Sequence, residues 1–226
     1  MPGFILHLTA GKMLLDDIKE NTILKEDEDK IMFMTGCIIP DVAIRKRKSH
    51  FRNTQQQGRI MQIPDLDLFN KKYGDRVDEP IFLGYLFHLY IDRRFFEEYI
   101  PKAVKIIDDE GNETGYIKTG KKVYIKKTGK LVDVDEYRSE KYYYGDYTRM
   151  NTYLINKYNI SLDMFDNIKI PYIEEVNMDG YDDFVSKMKG YLDVPEEAVN
   201  NLEVFDIDDV LKCIKEWTDD FVRDYL

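Results

Sequence analysis

The chain holds only three histidines, and each has a setting that suits a metal ligand. His7 opens an amphipathic stretch, His50 follows a segment carrying Asp41, and His88 precedes Asp92 by four residues. On a helix, side chains four apart lie one above the other on the same face, so an imidazole and a carboxylate at that spacing converge on one ion. Zinc takes nitrogen and oxygen ligands at about 2.0–2.2 Å, and a mixed set with an open position belongs to catalytic sites. The plainer alternative is an ordinary hydrogen-bonded His88–Asp92 pair, or an ion pair of Asp92 with Arg93 or Arg94. Against it stands the apolar run around the pair, in which a lone carboxylate costs several kcal/mol and must find a cation or strong donors.

The elements that must position these groups are mainly helical. Ala10, Gly11, Leu14 and Ile18 share a face with His7 at three- and four-residue steps, which predicts a helix over 7–20 with His7 in its first turn. A second helix is expected over 28–37, stopped by Gly36 and Pro40, with Asp41 in the loop beyond. Ser49-His50-Phe51 falls between the basic run Arg45-Lys-Arg-Lys48 and a polar, turn-prone stretch, and so reads as an irregular connection. From Pro80 to Ile100 apolar residues occur on nearly all sides, marking the most buried helix. Between Ala103 and Val134 the period falls to two, with Val104, Ile106, Val123, Ile125, Leu131 and Val132 punctuated by Asp109-Glu-Gly111, Thr119-Gly120 and Thr128-Gly129. That pattern predicts a small β-meander between helices. Helical patterning resumes over 135–158, 181–192 and 207–225. No repeat or linker divides the chain, so residues 1–226 read as one domain.

Four motifs, His7-x-x-x-Gly11, Gly36-Cys-Ile-Ile-Pro-Asp41, Ser49-His50-Phe51 and Gly84-Tyr-Leu-Phe-His88-Leu-Tyr-Ile-Asp92, resemble in order and spacing those of the zinc-dependent phospholipase C family. The resemblance covers about residues 1–100 and implies a helical phospholipase C-like fold, one shared with secreted single-strand nucleases. It implies that Asp41, His50, His88 and Asp92 hold one zinc, and that Asp92 bridges to a second zinc bound by His7. Asp41 is then also the candidate base. Secreted members complete a three-metal cluster with an N-terminal tryptophan, two further histidines and a glutamate. Here the single tryptophan is Trp217 and no fourth histidine exists, so one or two zinc ions are expected. The missing ligands are sought in Tyr142-Tyr-Tyr-Gly-Asp146, with Asp146 or Glu140 as an oxygen donor.

The implied reaction is hydrolysis of a phosphate ester, a phosphodiester above all, carried by a small substrate or a phospholipid headgroup. A non-catalytic metal-binding protein and a nuclease are the alternatives. A net charge of −10, from 33 basic and 43 acidic side chains, disfavours nucleic acid as a partner. Arg52, two residues from His50, is the candidate substrate-phosphate ligand, with a surface salt bridge as its plainer role. Six lysines between Lys118 and Lys130 read as protection of a sheet edge more readily than as a polyanion site. Cys37 and Cys213 make no zinc-ligand spacing and read as buried thiols. No apolar run is long enough to span a bilayer, and the first residues carry no basic n-region, so a cytoplasmic protein is expected. Nothing in the sequence sets the oligomeric state.

Overall fold

The computed structural model describes residues 3–18, 23–43, 46–176 and 178–226. Helices α1 (Phe4–Asp17), α2 (Asp27–Gly36), α3 (Ile39–Val42), α4 (Lys46–Ser49), α5 (Leu66–Tyr73), α6 (Pro80–Arg94) and α7 (Ile100–Ala103) precede the sheet. After it come α8 (Val134–Tyr137), α9 (Tyr143–Tyr158), α10 (Tyr181–Gly190) and α11 (Ile207–Tyr225). The chain is therefore mainly α with one small sheet, as its patterning predicts. The expected end of the first helix at Glu20, and Arg45 of the basic run, lie outside the described residues.

Helix α6 is the axis of the domain. Every residue from Ile81 to Asp92 is buried, as a helix apolar on all sides must be. Pro80 starts it at a position where the missing N–H goes unused. At its far end a π-helical turn, Phe95–Tyr99, leads into α7. Helix α2 crosses α6 at a glycine pair. A Cβ on Gly84 would stand 2.0 Å from the Phe33 carbonyl oxygen, and one on Gly36 would stand 2.3 Å from that of Ile81. Only glycine at both positions allows two backbones so near. Helix α11 closes another side through Val210, Leu211, Ile214, Trp217 and Phe221, all buried. The Trp217 indole donates to Glu98 at 2.9 Å.

The antiparallel sheet has the order β1 (Val104–Ile107), β2 (Lys122–Ile125), β3 (Lys130–Asp133), in the register Val104↔Ile125 and Val123↔Val132. Val104, Ile106, Val123, Ile125 and Val132 face the core. Four of the six hairpin lysines are tied to the protein: Lys122 approaches Asp133, Lys126 donates to the Pro101 carbonyl, Lys127 to that of Phe205, and Lys130 bridges Glu203. The hairpin is anchored rather than held out as a polycationic arm. No helix of the described residues is long and apolar enough to cross a membrane.

Three local expectations need correction. Asp41 lies within the short helix α3, not in a loop: Pro40 sits in that helix's first turn, where it starts a helix rather than ending one. His50 follows the helical turn α4 and is held by its last residue, because Ser49 Oγ donates to the Pro40 carbonyl at 2.7 Å. The helix predicted over 135–158 is two helices, α8 and α9, separated at 138–142.

Candidate metal centre

The five residues singled out by the motifs meet. His7 comes from α1, Asp41 from α3, His50 from the end of α4, and His88 and Asp92 from α6. Asp41 is 7% exposed and the other four 1% or less.

Outer partners fix the direction of two imidazoles. The α2–α6 crossing at Gly36 and Gly84 brings the next carbonyl, that of Cys37, to 2.7 Å from His88 Nδ1. His50 Nδ1 lies 2.8 Å from the Lys46 carbonyl and 3.0 Å from Ser49 Oγ. A carbonyl only accepts, so both Nδ1 atoms carry the proton and both Nε2 atoms turn bare lone pairs inward. Those two Nε2 atoms are 3.2 Å apart. Neither has a proton to offer the other, because burial depresses the basicity of His50 and takes that of His88 down to about 3.

Carboxylates crowd the same point. Asp92 Oδ2 lies 3.5 Å from His50 Nε2 and 3.9 Å from His88 Nε2, and Asp41 Oδ1 lies 3.6 Å from His50 Nε2. The other Asp92 oxygen lies 3.3 Å from His7 Nε2 without aligning as a hydrogen bond. Among the described residues, neither oxygen of Asp92 and neither ring nitrogen of His7 has a hydrogen-bond partner of good geometry, while the His7 ring stacks on His88 with centroids 3.7 Å apart. Burial opposes ionisation of Asp41 and Asp92, yet the imidazoles and, for Asp41, the Lys46 ammonium hold both carboxyls below their ordinary values.

Acceptors without donors, buried together, repel one another unless a cation sits among them. The donor set, three imidazoles and two carboxylates, suits zinc or a similar transition metal. Two groups are close enough to hold an ion, His7–His88–Asp92 and Asp41–His50–His88, with ligand atoms within 4.8 Å of one another in each. Asp92 stands between the two, one oxygen toward His7 and the other toward His50 and His88.

Asp146 does not join them. Its carboxylate accepts from the backbone N–H groups of Glu203, Val204 and Phe205 and from the Arg149 guanidinium, at 2.7–2.9 Å. That is a structural tie with no lone pair directed at the centre. Glu140 is not in either ligand group but lines the cleft that leads to Asp41. Arg52 makes no ion pair among the described residues, and its Nε is buried without a partner. The surface salt bridge expected as its plainer role is absent among the described residues.

A cleft of about 600 Å³ reaches the cluster on the Asp41 side, walled in part by Lys46, Tyr144, Tyr147, Asn151 and Lys187. Lys46 Nζ donates to Asp41 Oδ1 at 2.9 Å at this mouth. Sequence reasoning passed over Lys46 within a basic run, although its place five residues after Asp41 was a usable signal. The tyrosine stretch supplies a second wall. Burial first, then the nearby Tyr143 and Asp92, push the Tyr147 phenol well up, so it stays a neutral donor beside the cluster.

No family model, curated protein or solved structure matches the chain. The functional reading therefore rests on the geometry and the motif pattern.

Proposed function

We propose that the chain is a zinc-dependent hydrolase of a phosphate ester, a phosphodiester by preference, with a site of the phospholipase C type. The observation that carries the reading is the inward meeting of His50 Nε2, His88 Nε2 and the Asp92 carboxylate, none of which has a proton to share. His50, His88, Asp41 and Asp92 would hold one ion, and His7 with Asp92 a second. Zinc held there supplies a Lewis acid that polarises a phosphoryl oxygen and lowers the pKa of a water to about 7. Asp41, the one member of the set that lines the cleft, would serve as the proton acceptor on that side. Lys46 and Lys187 present positive charge to a phosphate entering the cleft. The cytoplasm is the proposed site of action, and two free, buried cysteines suit a reducing compartment.

A second reading, a metal-binding protein without catalysis, draws support from the near-complete burial of His7, His50, His88 and Asp92. One experiment separates the two. Wild type and His50→Ala are assayed on phosphodiesters, phosphomonoesters and phospholipids with zinc, manganese and chelator. The hydrolase reading expects zinc-dependent turnover of a phosphodiester that His50→Ala abolishes while helical content persists. If zinc-loaded wild type is no faster than His50→Ala on every substrate yet still binds zinc, the non-catalytic reading replaces it.

A further inference from the structure

Adjoining the first cleft and sharing Tyr144 with it, a second cleft of about 400 Å³ is lined by Arg52, Arg59 and Arg138 and, among the described residues, by no carboxylate. That composition is unusual in a chain carrying 43 acidic residues. Arg76, Arg93, Arg94, Arg149 and Arg223 each bridge an acid. Among the described residues, the three cleft arginines bridge none. Arg52 Nε is in addition buried with its hydrogen-bonding capacity unused. Burying a guanidinium donor without an acceptor is unfavourable, and three unneutralised guanidiniums around one cavity repel one another. An anion in the cleft relieves both costs.

Beside Gln62 and three tyrosines, the lining has an apolar part that includes Ile60, Ile106 and Ile117, the last of them 53% exposed. The Arg59 backbone pairs with that of Tyr116, which fixes one arginine beside the apolar wall. A guanidinium fork matches the oxygens of a phosphate in a way that a lysine ammonium does not. The isoleucine wall has no use for a fully hydrated anion but suits an alkyl chain.

We propose that this cleft binds a phosphate amphiphile, its phosphate head held by Arg52, Arg59 and Arg138 and its alkyl chain laid along Ile60, Ile106 and Ile117. No metal is needed, so the assignment stands or falls separately from the hydrolase reading.

The test titrates the full chain, in chelator, with dodecyl phosphate, inorganic phosphate and the uncharged dodecyl maltoside, each below its micelle concentration, and follows binding by calorimetry. Dodecyl phosphate is expected to bind at least about tenfold more tightly than either of the other probes, because it alone engages both halves of the cleft. Arg59 and Arg138 are exposed, so Arg59→Ala/Arg138→Ala keeps the fold, checked by circular dichroism, and is expected to weaken dodecyl phosphate by about tenfold or more. Lys71→Ala, an exposed cation outside the cleft, is the charge control and leaves affinity unchanged. Equal affinity for inorganic phosphate would make the ligand a free phosphate and overturn the amphiphile. Equal affinity for dodecyl maltoside, or an unchanged affinity in the double variant, would overturn the arginine site.

Discussion

Gly84→Ala alters no candidate ligand, yet it should damage the metal centre. The added methyl would meet the Phe33 carbonyl oxygen at 2.0 Å and the Gly36 Cα at 3.0 Å, where ordinary contact begins at 3.4 Å. Helices α2 and α6 must then part by about 1.4 Å at their crossing, and overpacking of this kind costs about 1–3 kcal/mol, here at the upper end because both obstacles are backbone. For a domain of this size about 3 kcal/mol lowers Tm by about 6–12 °C. The same displacement stretches the 2.7 Å bond from His88 Nδ1 to the Cys37 carbonyl beyond hydrogen-bonding range. Losing the outer partner of a metal-binding histidine lowers affinity by about 10–100-fold. Thermal melts and zinc titration against a competing chelator measure the two effects side by side. A Gly84→Ala protein that melts within about 2 °C of wild type, or that loses stability but keeps its zinc affinity, would refute the link between the crossing and the site.

Three other outcomes are expected. Lowering the pH of metal-free protein should destabilise it from about pH 6.5 down to about 3, because the unfolded chain protonates His88 in that window while burial keeps the native imidazole neutral; chemical denaturation should show a loss of about 2 kcal/mol by pH 5 from this group alone, and a flat profile would count against the neutral His88. Asp146→Ala leaves three backbone N–H groups and Arg149 without their acceptor and should cost about 3 kcal/mol or more, with zinc stoichiometry of the folded protein unchanged. Lys46→Ala removes the ammonium that shares Asp41 Oδ1 and should raise zinc affinity by about two- to fivefold, the scale of a half-exposed ion pair; weaker binding in that titration would mean that Lys46 supports the site rather than competing for it.

What the sequence revealed follows the range over which the physics acts. Helix α6 was legible because burial on all sides leaves a continuous apolar run, and His88 and Asp92 stand out within it as the polar exceptions. The sheet was legible because period two and glycine turns are local signals, and Gly129 does take the left-handed conformation such a turn needs. Pro40 misled because the same residue ends one helix and begins another, and only the path of the chain decides which. Asp146 misled for a different reason: apart from Arg149, its partners are backbone N–H groups 57 to 59 residues further on, and no nearby pattern announces them. The convergence of Arg52 with Arg59 and Arg138 is equally invisible, since it depends on how the sheet and α8 fold back over the segment after His50.

That long reach of Asp146 also orders events in time. A ribosome releasing this chain has delivered α1, α3, α4 and α6, and with them every histidine and carboxylate of the candidate centre, long before Glu203 emerges. Until then the first turn of α9 holds a carboxylate that lacks the three backbone donors it needs to be buried. The wall of tyrosines beside the centre is thus the late-setting part of the molecule. Contacts across so many residues are slow to form, and a nascent chain halted before Phe205 would expose the aromatic face that Tyr143 and Tyr147 pack against that residue, a surface for chaperones to recognise.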